Sequence, residues 1–146
     1  MNALSFYRIA RWLHLHHIPF LPKCIQALIF LIFNAYVPYT ADIGKHTRLG
    51  YGGMGVVIHA RAKIGTHCLI LQQVTIGGRS KQYEVPCIGN YVYIGTGAKV
   101  LGNVEIGNHV AIGANAVVLK SIPEHCAAAG VPAKIIKTGV SMSDYI

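Results

Sequence analysis

At 146 residues the chain has room for one domain and a short appendage. Apolar types make up 53% and charged types 12%, which excludes a disordered chain. Thirteen Lys and Arg against five Asp and Glu give a formal net charge of +8, so an anionic partner is expected. Nucleic acid is not, because no motif interleaves aromatic with basic residues. The five acids, Asp42, Glu84, Glu105, Glu124 and Asp144, are too scattered for a carboxylate-pair hydrolase.

In chain order, residues 1–40 form an N-terminal helical segment. Residues 3–16 carry an amphipathic helical pattern with Arg8 and Arg11, and residues 21–37 read as a second, more apolar helix. The apolar run over 27–33 is well short of the ~20 residues that span a bilayer. Two expectations follow for this segment: a cap on the solenoid or a neighbouring subunit, or peripheral contact with an anionic membrane. Cys24, Cys68, Cys87 and Cys126 show neither metal-type nor disulfide-type spacing. They read as free thiols of a cytoplasmic protein, three of them buried, and no metal is expected.

From residue 41 to 122 the sequence repeats every six residues. Aliphatic residues recur at Ile58, Ile64, Ile70 and Ile76, and again at Ile88, Ile94, Val100, Ile106, Ile112 and Val118. Four places later in each unit stands a small or β-branched residue such as Ala62, Cys68, Val74 or Ala98. The second place is usually glycine. A period of six fits neither an amphipathic helix nor an alternating strand. It fits an all-β triangular solenoid, each unit a short strand and a corner, with coils stacked roughly 4.8 Å apart. The phase breaks twice, at Tyr51-Gly52-Gly53-Met54-Gly55 and over 78–86, where a polar loop leaves the coil. Residues 123–146 form a tail that folds back along the solenoid.

Histidine is the natural general base near neutral pH. His14, His16 and His17 lie in the appendage, and His125 sits beyond the repeat. His46, His67 and His109 all occupy the fourth place of a unit, where Gly and Asn occur elsewhere. They read as corner residues with positive φ. His59 is different, because it holds the second place, where eight other units have glycine. One coil of eighteen residues on, it faces the pair Gly77-Gly78, which leaves room for a ligand. His59 is therefore the catalytic candidate, with Tyr51, Gly52 and Glu84 as acceptor-site candidates. Arg79 and Lys81 are available to phosphates.

The runs Val74-Thr75-Ile76-Gly77-Gly78, Val92 to Gly102, Ile112 to Val118 and Ala129-Gly130-Val131-Pro132-Ala133-Lys134 resemble the serine acetyltransferase branch of the hexapeptide-repeat acyltransferases. The resemblance covers roughly residues 41–137 and implies a left-handed parallel β-helix. It further implies a homotrimer that binds acetyl-CoA in a groove between neighbouring β-helices. By that resemblance Gly77, Gly78, Arg79, Gly97, Ala98, Ala114 and Lys134 line the CoA site. The branch places an Asp-His pair before a Gly-Ile-Val-Val stretch. Here Tyr51, Gly52, Gly53 and Met54 precede Gly55-Val56-Val57-Ile58, and Glu84-Val85-Pro86 replaces its Arg-His-Pro. With only about forty residues before the repeat, the chain looks more like the short relatives that O-acetylate sugars. The expectation is thus an acetyl-CoA-dependent O-acetyltransferase of surface polysaccharide biosynthesis, acting on a saccharide hydroxyl by direct transfer with His59 as base. The alternatives are serine O-acetylation in cysteine biosynthesis and a non-catalytic structural β-helix. A carbonic-anhydrase-like zinc protein is disfavoured, because the repeat lacks a His-x4-His spacing.

Overall fold

The computed structural model describes residues 1–146. Helix α1 (Ala3–Leu15) is capped by Asn2, whose side-chain oxygen accepts the Leu4 N–H at 3.1 Å. The same side chain donates to the Leu49 carbonyl at 2.9 Å, which ties the start of the helix to the solenoid. Helix α2 (Leu21–Phe33) starts with Pro22 in its first turn and stops where Asn34 turns left-handed at φ 49. The helix therefore ends short of residue 37, and Tyr36 already bridges to Val57 as extended chain.

Four coils of short strands follow. The first contains β1 (Asp42–Ile43), β2 (Arg48–Leu49) and β3 (Val57–Ile58). The second has β4 (Lys63–Ile64), β5 (Leu69–Ile70) and β6 (Thr75–Gly77). The third has β7 (Cys87–Ile88), β8 (Tyr93–Ile94) and β9 (Lys99–Leu101). The fourth has β10 (Glu105–Ile106), β11 (Ala111–Ile112) and β12 (Val117–Val118). Finally come β13 (Cys126–Ala129) and β14 (Lys134–Thr138). Through β12 every third strand joins the same parallel sheet: β1-β4-β7-β10 in the first, β2-β5-β8-β11 in the second and β3-β6-β9-β12 in the third, and β13 extends the second.

The register shows where residues are inserted. Ile58 pairs with Ile76, eighteen residues on, the length of an uninterrupted coil. Leu49 pairs with Ile70, three residues further than that, because a turn of 3-10 helix over Gly50–Gly53 is inserted. Ile76 pairs with Val100, six further, because the 78–86 loop intervenes. The inward aliphatics stack in columns, and Ile58, Ile70, Ile76, Ile94 and Ile112 are each 0% exposed. Burying one such side chain stabilises the fold by about 1.5–3 kcal/mol. Glycine at the second place has a steric cause: a Cβ on Gly44 would lie 2.5 Å from the Gly65 carbonyl of the next coil. Beyond residue 122 the solenoid continues, since β13 pairs parallel with β11 before β14 returns antiparallel. That fifth layer carries Cys126-Ala127-Ala128-Ala129, which lacks the aliphatic-glycine signature.

Helix α1 closes the open end of the first coil. The buried Tyr7 hydroxyl donates to the Ala41 carbonyl at 2.6 Å and accepts the Ile43 N–H at 3.2 Å. Arg8 donates to the carbonyls of Ile43 and Gly44, and Arg11 to those of Tyr39 and Thr40. Arg11 also pairs with Asp42 at 3.9 Å. The basic face of α1 is thus turned onto the carbonyls of the first coil. The outer faces of the two helices expose Trp12, Leu15, Phe20, Leu28, Phe30 and Leu31. No helix is long and apolar enough to cross a membrane.

Candidate active site

His59 follows β3 at the corner between the third and first sheets, half-buried. Its backbone N–H donates to the Ile76 carbonyl at 2.8 Å, which locks it beside Gly77 of the next coil. The imidazole faces Gly78: its Cδ2 and Nε2 lie 3.6 and 3.7 Å from where a Cβ on Gly78 would sit. Nothing sterically obliges a glycine there, so the missing side chain leaves a methyl-sized gap between the ring and Val85 Cγ1, which lies 3.8 Å from the same point. The Gly78 N–H, next to that gap, donates to no group in the chain. The ring is oriented by the Arg61 backbone N–H, which donates to Nδ1 at 3.1 Å. In the neutral ring the proton therefore sits on Nε2, the atom facing the gap. Glu84, an acceptor-site candidate, makes no hydrogen bond to the imidazole, whose one partner is the Arg61 N–H.

The 78–86 loop is fastened rather than loose. Gln82 Oε1 accepts the Asn103 N–H at 2.9 Å, and the Gln82 N–H donates to the Arg79 carbonyl at 3.1 Å. The Arg79 side chain packs over Gly102, where a Cβ would come within 3.0 Å of it. The Arg61 guanidinium lies 4.1 Å from the Tyr83 ring centroid and donates to the Tyr83 carbonyl. Arg61 and Tyr83 are thus part of the site, although neither stands out in the sequence. Only the fold brings residue 61 against residue 83.

The remaining candidates fall into two groups. Gly77, Gly78, Arg79 and Glu84 share the corner of His59. Tyr51 and Gly52 lie at the opposite edge of the third sheet, in the left-handed turn between β2 and β3. Gly52 is closed off there, since a Cβ would meet the Met1 carbonyl at 3.3 Å and Phe33 at 3.4 Å. Gly97 and Ala114 lie at that same edge in later coils, with Lys134 beyond them at the start of β14. Ala98 is 0% exposed with its methyl in the core, so only its backbone can face a ligand.

Two of the four cysteines, Cys68 and Cys126, are buried, whereas Cys24 and Cys87 are exposed, one fewer buried than expected. Burial pushes the Cys68 thiol up, which keeps it from serving as a nucleophile. No three His, Cys, Asp or Glu side chains converge on a point that could hold a metal ion. At the corner between the first and second sheets His46, His67, Tyr91, His109 and His125 all have positive φ, between 56 and 62. Their rings stack in one column at 4.7–4.9 Å spacing, on the side of the solenoid away from the third sheet. Corner geometry and stacking explain these histidines, and none of them approaches His59.

The six-repeat model of the bacterial transferase hexapeptide family matches residues 88–120. Over 142 residues, 95% of its length, the chain is 40% identical to the serine acetyltransferase of Synechococcus elongatus, of which it covers 58%. It belongs to the hexapeptide-repeat transferases, on their serine acetyltransferase-like branch. The Escherichia coli K12 serine acetyltransferase is 39% identical over 137 residues, 92% of this chain and 50% of that protein. The chain thus spans about half the length of these relatives. Among solved structures, the Brucella abortus serine acetyltransferase in complex with coenzyme A superposes with a TM-score of 0.89 at 34% identity, over 95% of this chain and 56% of that one. Soybean serine acetyltransferase complexed with serine gives 0.85 at 34% identity, over 92% and 56%. The match makes the solenoid a left-handed parallel β-helix with a short helical segment at its N-terminus.

These relatives overturn the expectation of a saccharide acceptor in polysaccharide biosynthesis. The short N-terminal segment suggested it, but the resemblance to serine acetyltransferases extends over nearly the whole chain. Acceptor choice is set by groups around the reacting hydroxyl, and the length of the helical segment says nothing about them.

Proposed function

We propose that this hexapeptide-repeat transferase moves an acetyl group from acetyl-CoA to the side-chain hydroxyl of free serine, the reaction that opens cysteine biosynthesis. The observation that carries this reading is 39–40% identity to serine acetyltransferases over more than nine-tenths of the chain. Solved relatives of the same fold hold coenzyme A and serine. The net positive charge suits the phosphates of CoA. Gly77, Gly78, Arg79, Gly97, Ala98, Ala114 and Lys134 line the CoA groove in this reading. Because they lie at both edges of the third sheet, the groove is completed between copies of a homotrimer.

Transfer is direct, within a ternary complex. The serine oxygen attacks the thioester carbonyl, the C–S bond breaks, and CoA leaves as its thiol. His59 takes the hydroxyl proton, and the unpaired Gly78 N–H receives the oxyanion of the tetrahedral intermediate. For Nε2 to accept a proton, the bond from the Arg61 N–H to Nδ1 opens and the ring proton moves to Nδ1. His59→Ala is expected to lower kcat by about 100-fold or more, the usual scale of general-base loss. Acetyl-CoA binding by calorimetry and sedimentation as a trimer of the 15.8 kDa chain should stay as in the parent. Retained turnover in that variant removes His59 from the reaction. Failure of the parent to bind CoA favours a structural β-helix without activity.

A further inference from the structure

An open pocket of about 390 Å³ lies between the end of the 78–86 loop and the first sheet, lined in part by Arg61, Lys63, Tyr83, Glu84, Val85 and Glu105. It adjoins the imidazole through one residue. Val85 Cγ1 lies 3.8 Å from the point where a Cβ on Gly78 would sit, and His59 Nε2 lies 3.7 Å from the same point. The lining carries two cations and two carboxylates, and none of them is in an ion pair; the one ion pair of the chain is Arg11–Asp42. Arg61 is also held in place by the Tyr83 ring and carbonyl. A guanidinium fixed along one edge keeps its other N–H groups for a planar carboxylate. Glu84, on the loop beside Val85, is exposed and supplies a negative group at the same opening. A neutral polyol would make no use of these charges, whereas a molecule with one carboxylate and one ammonium answers both.

We infer that this pocket is the acceptor site and binds a free α-amino acid as its zwitterion, with Arg61 holding the α-carboxylate and Glu84 the α-ammonium. The side-chain hydroxyl then points past Val85 toward His59. This inference rests on the proposed transfer to serine and assigns the residues that select the amino acid. Lys63 adds positive potential from the neighbouring strand, where Asp42 and Cys87 flank it in register.

The test compares three acceptors at saturating acetyl-CoA: serine, serinamide, which lacks the carboxylate, and glycerate, which lacks the ammonium. The parent protein should prefer serine to both in kcat/KM. Arg61→Met is expected to lower kcat/KM for serine by about 10- to 100-fold, the scale of a lost charge-assisted contact, and that for serinamide by a clearly smaller factor, the share that comes from the lost hold on Tyr83. Arg61→Lys should recover part of the serine preference, and Glu84→Gln should erase the preference over glycerate alone. Equal loss toward serine and serinamide in Arg61→Met would assign Arg61 to holding the loop and overturn the inference, as would an unchanged serine preference. If the parent does not acetylate serine at all, the proposed function fails and the inference with it. If it does and the variants keep its discrimination, only the inference fails.

Discussion

Tyr7 shows how much one buried polar side chain holds in this fold. Its hydroxyl serves the Ala41 carbonyl and the Ile43 N–H together, at the seam between α1 and the first coil. Tyr7→Phe leaves both groups unpaired in a buried place and is expected to cost about 1–3 kcal/mol in denaturant unfolding. Burial also raises the ionisations of Tyr7 and Cys68. Both groups hold their protons more tightly folded than unfolded. Their stabilisation is full below the ordinary thiol value of 9.0 and declines as pH rises beyond it. Unfolding midpoints should therefore fall on the alkaline side, less steeply in Tyr7→Phe; an equally steep fall would contradict the assignment. At this scale the sequence singles out His59, because eight other units carry glycine at its place, and the fold sets its ring against Gly78. Arg61 was not, because its chemistry depends on Tyr83, twenty-two residues away across the loop.

Among the elements, legibility followed the regularity of the repeat. The six-residue period shows the coils, both insertions and the corners occupied by His46, His67 and His109. It cannot show that those rings stack, since Tyr91 shares their place in the unit but His125 joins the column from beyond the repeat. The end of α2 and the fifth layer at β13 were hidden for a related reason. Asn34 ends a helix by its own left-handed φ, without proline or glycine nearby, and β13 packs alanines where the repeat has isoleucine. The histidine column is a surface feature, so its energetic weight should be small. His67→Ala removes the ring between His46 and Tyr91 and is expected to cost about 0.5–1.5 kcal/mol. Ile70→Ala, three residues on and fully buried, should cost about 2–5 kcal/mol. Chemical denaturation of the two variants measures the order; a larger loss in His67→Ala would make the column, not the core, the element that holds the coils.

At the scale of the molecule, a narrow aliphatic core and close-approach glycines account for the composition, and α1 seals one end with Arg8 and Arg11. The fold and the membership of the hexapeptide-repeat transferases were readable from the repeat and its motifs. The saccharide expectation rested on the short helical segment, whereas the 78–86 loop, beside which the proposed acceptor site lies, carries no repeat to read. The outer faces of α1 and α2 leave Trp12, Leu15, Leu28, Phe30 and Leu31 exposed on the single chain. The central claim is acetyl transfer to serine. Its most direct measurement is the initial rate of CoA thiol release from acetyl-CoA as free serine is varied. A saturable, serine-dependent release accompanied by O-acetylserine is the expected result; release at the same rate without serine, or none at all, would contradict it.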